Sequence, residues 1–123
     1  MIRPLCRILV VLGFVHAFTL PSARGAETFV AGIDDLPLMP GLAALPTQGV
    51  VFDVPGGRIV EAWAQGAVTR GAVLTFYGST LPQLGWSVSA PDLFRREGET
   101  LRLEFPPGAA AGTLLIRFYL SPG

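Results

Sequence analysis

Cys6 and His16 are the only thiol and the only imidazole in the 123 residues, and both lie within the first 25. There is no lysine. Nucleophilic catalysis needs an activated nucleophile and a base to activate it. The serines beyond the first 25 residues are Ser79, Ser87, Ser89 and Ser121, and no histidine, lysine or cysteine follows to serve them. Transition-metal sites need imidazole or thiolate. What remains for chemistry is carboxylate and arginine. Asp34 and Asp35 are the only adjacent acidic pair, without the ligand spacing of a calcium loop, and read as a solvated turn. Glu97 and Glu99 flank Gly98; paired carboxylates can hydrolyse glycosides, but a turn tip is exposed where a general acid needs a pocket. The glycine-rich segments 55–57 and 108–112 match neither a phosphate-binding loop nor a dinucleotide fingerprint and read as turns. These residues predict no catalytic centre, no metal and no cofactor.

The segment that holds Cys6 and His16 reads as an export signal. Arg3 and Arg7 precede a 13-residue apolar stretch, Ile8 to Leu20, and Pro21 breaks it. Ala23-Arg24-Gly25 offers small residues at a cleavage site, so a cut near Gly25/Ala26 is expected. The stretch falls short of the roughly 18 residues of a membrane span; left uncleaved, it would act as an anchor. All basic residues are arginine and asparagine is absent, a bias typical of GC-rich bacterial coding. The expected address is the bacterial periplasm or the exterior. The membrane is met only in transit, or permanently through an uncleaved signal.

Cleavage after Gly25 leaves 98 residues, enough for one domain with one core. It removes three arginines, leaving nine acids against six arginines. A mildly acidic chain with scattered arginines is a poor footprint for nucleic acid and has no polybasic handle for anionic lipid. With no cysteine in this part, stability rests on packing rather than disulfides.

The expected organisation is a signal over 1–25, a proline-rich extended arm over 26–48 and an α+β domain over 49–123. Pro37, Pro40 and Pro46 exclude a helix or central strand in the arm. Its Leu36, Leu38, Met39 and Leu42 are too apolar for a solvated linker, so it is expected to lie against the domain or dock elsewhere. Residues 49–54 and 58–65 read as strands joined by the turn Pro55-Gly-Gly57. A helix is expected from about Arg70 to Thr80, with Thr69 as N-cap. It carries an apolar stripe of Val73, Phe76, Tyr77, Leu81 and Leu84, is ended by Pro82 and is capped by Gly85. Extended structure resumes at Trp86. A hairpin spans Gly98, and residues 113–120 close the fold. Alternation of Leu101, Leu103 and Phe105 with Arg102 and Glu104 is the period-2 pattern of a half-buried strand. The order ββαβββ predicts a single antiparallel sheet of about five or six strands with one long helix on one face, a two-layer arrangement.

If a helix covers one face, Ile59, Glu61, Trp63, Arg102, Glu104, Leu115, Arg117 and Tyr119 share the other. Tryptophan, tyrosine and arginine are the types enriched at binding hot spots. The ordinary alternative is a solvated cross-strand ladder of Arg–Glu pairs and arginine-covered aromatics, or a face covered by the arm. Trp86 and Tyr77, after the helix cap and on the stripe, read as core.

The run Phe76-Tyr-Gly-Ser-Thr-Leu-Pro-Gln-Leu-Gly-Trp86 is preceded by Gly57-Arg-Ile-Val-Glu61 and followed by Phe94-Arg-Arg-Glu-Gly98. It resembles the F-Y-x-x-x-L-P-x-x-G-W helix end of small exported bacterial domains of unknown function. The resemblance covers about residues 49–122 and implies a helix-on-sheet periplasmic domain; it implies no activity and no catalytic residue.

Three functions follow as rivals. The first is a non-enzymatic periplasmic module that binds a protein or envelope component through its open sheet face, its arm, or both. The second is a small-ligand carrier with a pocket between helix and sheet, lined by residues such as Val60, Ala62, Phe76 and Leu103. The third is an enzyme using only carboxylates and arginine, which requires two of Asp53, Asp92, Glu97 and Glu99 to meet in a concave site.

Overall fold

The computed structural model describes residues 28–123. The expected export signal, with Cys6 and His16, lies outside the described residues. The described residues form one antiparallel sheet and one α-helix, an α+β fold. The strands are β1 (Leu42–Ala44), β2 (Val50–Val54), β3 (Gly57–Gly66), β4 (Ser87–Ala90), β5 (Leu93–Arg96), β6 (Glu99–Glu104) and β7 (Leu114–Pro122). The helix α1 spans Arg70–Thr80 between β3 and β4. The strand order is β1-β3-β7-β6-β5-β4, and β2 also pairs with β3.

Turn chemistry sets the hairpins. Pro55 and Gly56 join β2 to β3, with Gly56 at φ +88° as the third residue of a type II turn requires. Glu97 (φ 48°) and Gly98 (φ 79°) join β5 to β6, both in the left-handed region that suits the right-handed twist of a two-residue hairpin. The helix is bounded as its local sequence dictates. The Thr69 hydroxyl accepts from the Ala72 N–H at 3.1 Å, satisfying one of the unpaired donors of the first turn. Pro82 removes a donor, and the chain tightens into a 3-10 turn over Leu81–Leu84. Gly85 then adopts φ +90°, the left-handed cap that ends a helix.

One sheet face carries Val60, Ala62 and Ala64 of β3, Leu101 and Leu103 of β6, and Ile116, Phe118 and Leu120 of β7, all buried. Val73, Tyr77 and Leu81 are fully buried in the same cluster. The Tyr77 ring meets Phe118 edge-on at 5.5 Å, a favoured aromatic geometry.

The proline-rich segment completes this core. Ile33 and Leu36 are fully buried and Val30 nearly so. Phe29 and Pro37 form a β-bridge around the intervening turn. The Tyr77 hydroxyl donates to the Pro37 carbonyl at 2.9 Å and accepts from the Met39 N–H at 3.1 Å. Three residues beyond the last of these contacts, the chain becomes β1, an edge strand, where the prolines had argued only against a helix or a central strand. Its pairing of Leu42 with Gly66 works because a side chain at position 66 would collide with the Gly41 carbonyl.

Candidate functional site: the open sheet face and the rim of the sheet

The strand register brings the sequence-predicted face together. Glu61 of β3 and Arg102 of β6 flank Tyr119 of β7, and Trp63 and Glu104 flank Arg117. Leu115 pairs with Gln65, and Ile59 pairs with Phe52 of β2. Ile59, Glu61, Trp63, Leu115, Arg117 and Tyr119 are half-buried, and Arg102 is exposed.

Arg117 is the hub. Its two terminal nitrogens donate separately to Glu61 and Glu104. The guanidinium carbon lies 4.6 Å from the Tyr119 ring centroid and 5.9 Å from that of Trp63, within cation–π range. Burial works against the Arg117 charge, but the bonds to Glu104 and Glu61 outweigh it and raise the pKa above the ordinary arginine value. The face therefore presents two aromatics on either side of a guanidinium that two carboxylates hold in place. Chemically it can stack with a flat partner; Arg117, Glu61 and Glu104 are committed to one another, whereas Arg102 is exposed.

A second constellation, at the rim of the buried face, was not legible in the sequence. Arg58 donates to Glu99 at 3.0 Å and 3.4 Å and to the Gly32 carbonyl at 3.1 Å. Arg96 forms a two-point ion pair with Asp35, donates to the Leu84 carbonyl at 3.0 Å, and stacks 4.4 Å over Trp86. Asp34 is exposed, whereas its neighbour Asp35 holds the turn of the arm against β5 and the helix end. The Arg96 bond keeps the Asp35 carboxyl below its ordinary pKa, with burial opposing. The signal that could have found this pair is weak: one carboxylate and one arginine 61 positions apart.

Beside these ion pairs lies an open cleft of about 630 Å³ between the β5–β6 turn and the end of the helix. Arg95, Arg96, Glu97, Glu99 and Thr100 are among its lining residues. Glu97 and Glu99 thus share a concavity, though Glu99 is already bound by Arg58. Asp53 is exposed on β2 and Asp92 lies in the β4–β5 turn, neither in the cleft. Val60, Ala62 and Leu103, proposed to line an internal pocket, are buried core residues, with Phe76 packed against them. Among the described residues no group of three or more histidine, cysteine or carboxylate side chains gathers where a metal could be held, and no helix is long and apolar enough to cross a membrane.

Comparison with protein-family models, with curated proteins and with solved structures returns no match. The functional reading therefore stands on geometry.

Proposed function

We propose that the chain is an exported, non-enzymatic interaction module, a two-layer domain whose open sheet face docks a protein or envelope component. The observation that carries this reading is the arrangement around Arg117. Trp63, Tyr119 and Arg117 are hot-spot residue types, and the Glu61 and Glu104 bonds hold the central one in a single orientation. Side chains ordered before binding lose less entropy on association. The packing of Val73, Tyr77 and Leu81 with one face supports the two-layer arrangement and leaves the other face to a partner. Export rests on the charged, apolar and small-residue order of residues 1–25. N-terminal sequencing of the mature protein tests it, with Ala26 or Glu27 expected as the first residue.

The docking test is Trp63→Ala combined with Tyr119→Ala. Capture of envelope components by the immobilised protein should be abolished while the melting temperature changes little. Unchanged capture removes the face from consideration. One observation favours an enzyme instead, the shared cleft of Glu97 and Glu99. With Glu99 bound by Arg58, the pair of free carboxylates that glycoside hydrolysis uses is incomplete. Hydrolysis of a glycan substrate that Glu97→Gln abolishes would establish that reading in place of docking. The carrier has less support, because core side chains fill the positions named for its pocket.

A further inference from the structure

The edges of the sheet are treated differently, and the difference points to self-association. β4 ends the sheet with four residues, a register shift between Val88 and Ala90, and Pro91 immediately after. Short length, bulges and proline are the usual means of keeping an edge from pairing. β1 is three residues long and is followed by Pro46. β2 is also followed by a proline, Pro55, but it is longer than either and carries no register shift. Its five residues pair with β3 in unbroken register, and among the described residues no other strand lies beside it. Val50, Val51 and Phe52 are 45%, 60% and 46% exposed.

The hydrogen-bonding capacity of this edge follows from the turn. Val54 and Gly57 pair across the two-residue Pro55-Gly56 turn, so they bond to each other. Alternation along an antiparallel ladder then turns the N–H and C=O of Val51 and Asp53 away from β3. None of the backbone bonds outside helices and strands uses these groups among the described residues.

We infer that this edge pairs with the β2 edge of a second copy about a twofold axis through Phe52. A strand can pair antiparallel with its own copy about a twofold axis provided the shared surface is self-complementary, and Val50-Val-Phe-Asp-Val54 meets that condition. Centring on Phe52 engages all five residues: Val50 meets Val54 of the second copy, Val51 meets Asp53, and Phe52 meets its own equivalent. No acid opposes an acid, whereas centring one residue later would set Asp53 against Asp53. The outward groups of Val51 and Asp53 form four backbone bonds across the axis. Phe52 shares a face with Ile59, so the joined sheets extend the open face across the dimer. The inference is independent of a partner on that face, because it uses neither Trp63 nor Tyr119.

Sedimentation of the full-length chain over a concentration series tests it. The weight-average mass should rise toward twice the monomer value. Val51→Pro removes one outward N–H, leaves the β2–β3 bonds intact, and should hold the mass at that of the monomer with an unchanged circular dichroism spectrum. Where this variant folds poorly, Phe52→Cys in a Cys6→Ser background decides. Directly opposed residues without mutual backbone bonds lie about 4.5 Å apart between Cα atoms, within disulfide range. Phe52→Cys should therefore form a covalent dimer under mild oxidation, faster than Val88→Cys, an equally exposed position (53%) on the opposite edge. A monomer at every concentration overturns the inference, as does a dimer insensitive to Val51→Pro, or equal cross-linking at positions 52 and 88.

Discussion

The two faces of the sheet are built from the same strands by alternation, yet their side chains do different work. On one face, Val60, Leu101, Leu103, Ile116, Phe118 and Leu120 are buried in one cluster with residues of the helix and the arm. On the other, Glu61, Trp63, Arg117 and Tyr119 stay half-exposed and satisfy one another through charge and stacking. Burial of apolar area scales with surface removed from water, whereas exposed ion pairs contribute little to stability. Folding free energy should therefore reside in the first face and in the arm that closes it, and the second should tolerate change.

Mutations that unbalance the closed face should have the largest effects. Phe118→Ala removes a fully buried ring that meets Tyr77 and should cost about 3–5 kcal/mol in denaturant unfolding. Leu36→Ala in the arm should cost about 2–5 kcal/mol; a loss below about 0.5 kcal/mol, the range of ordinary surface changes, would make the arm an accessory rather than part of the core.

Tyr77→Phe keeps the ring and deletes the hydroxyl that bonds Pro37 and Met39, for a loss of about 1 kcal/mol. Burial raises the Tyr77 pKa above its ordinary 10.0, so the unfolded chain ionises first. The stability linked to this group is complete below that value and is lost as pH rises beyond it. Thermal melts from neutral to alkaline pH should show this decline in the natural chain and a shallower one in Tyr77→Phe.

Asp35 has the opposite sign. Its Arg96 partner lowers the pKa below the ordinary 3.8, so its contribution is present above that value and is lost as pH falls below it. Asp35→Asn should shift the midpoint at neutral pH slightly, by about 0–1 kcal/mol for an exposed pair, and should flatten the acid limb of the melting profile. The smallest effect belongs to the open face. Arg102→Ala, at an exposed position, should change stability by no more than about 0.5 kcal/mol; a loss comparable to Leu36→Ala would show that this face, too, is structural.

The elements differ in how far their neighbours in sequence specify them. The helix from Arg70 to Thr80 is legible because Thr69 and Pro82 act within one turn of its ends and Gly85 caps the 3-10 turn that follows. The alternation of β6 and β7 likewise separates Leu101 and Phe118 from Arg102 and Arg117 without knowledge of their partners. β1 was not legible: Leu42-Ala-Ala44 has no pattern of its own between prolines, and becomes a strand only because β3 offers an edge. Asp34 and Asp35 look alike in sequence, and only the approach of Arg96 distinguishes them.

By itself, then, the sequence determined the residue types available for chemistry, the helix and its caps, the turns, and the alternation that divides each strand between two faces. These depend on φ/ψ preference and on neighbours within a few positions. Tertiary structure decided which strands adjoin, that the arm enters the core, that Arg117 collects carboxylates from 13 and 56 positions away, and that β2 pairs with β3 alone among the described strands. Such choices weigh the closure of long loops against the apolar area and backbone bonds that closure secures, a balance that no local segment contains.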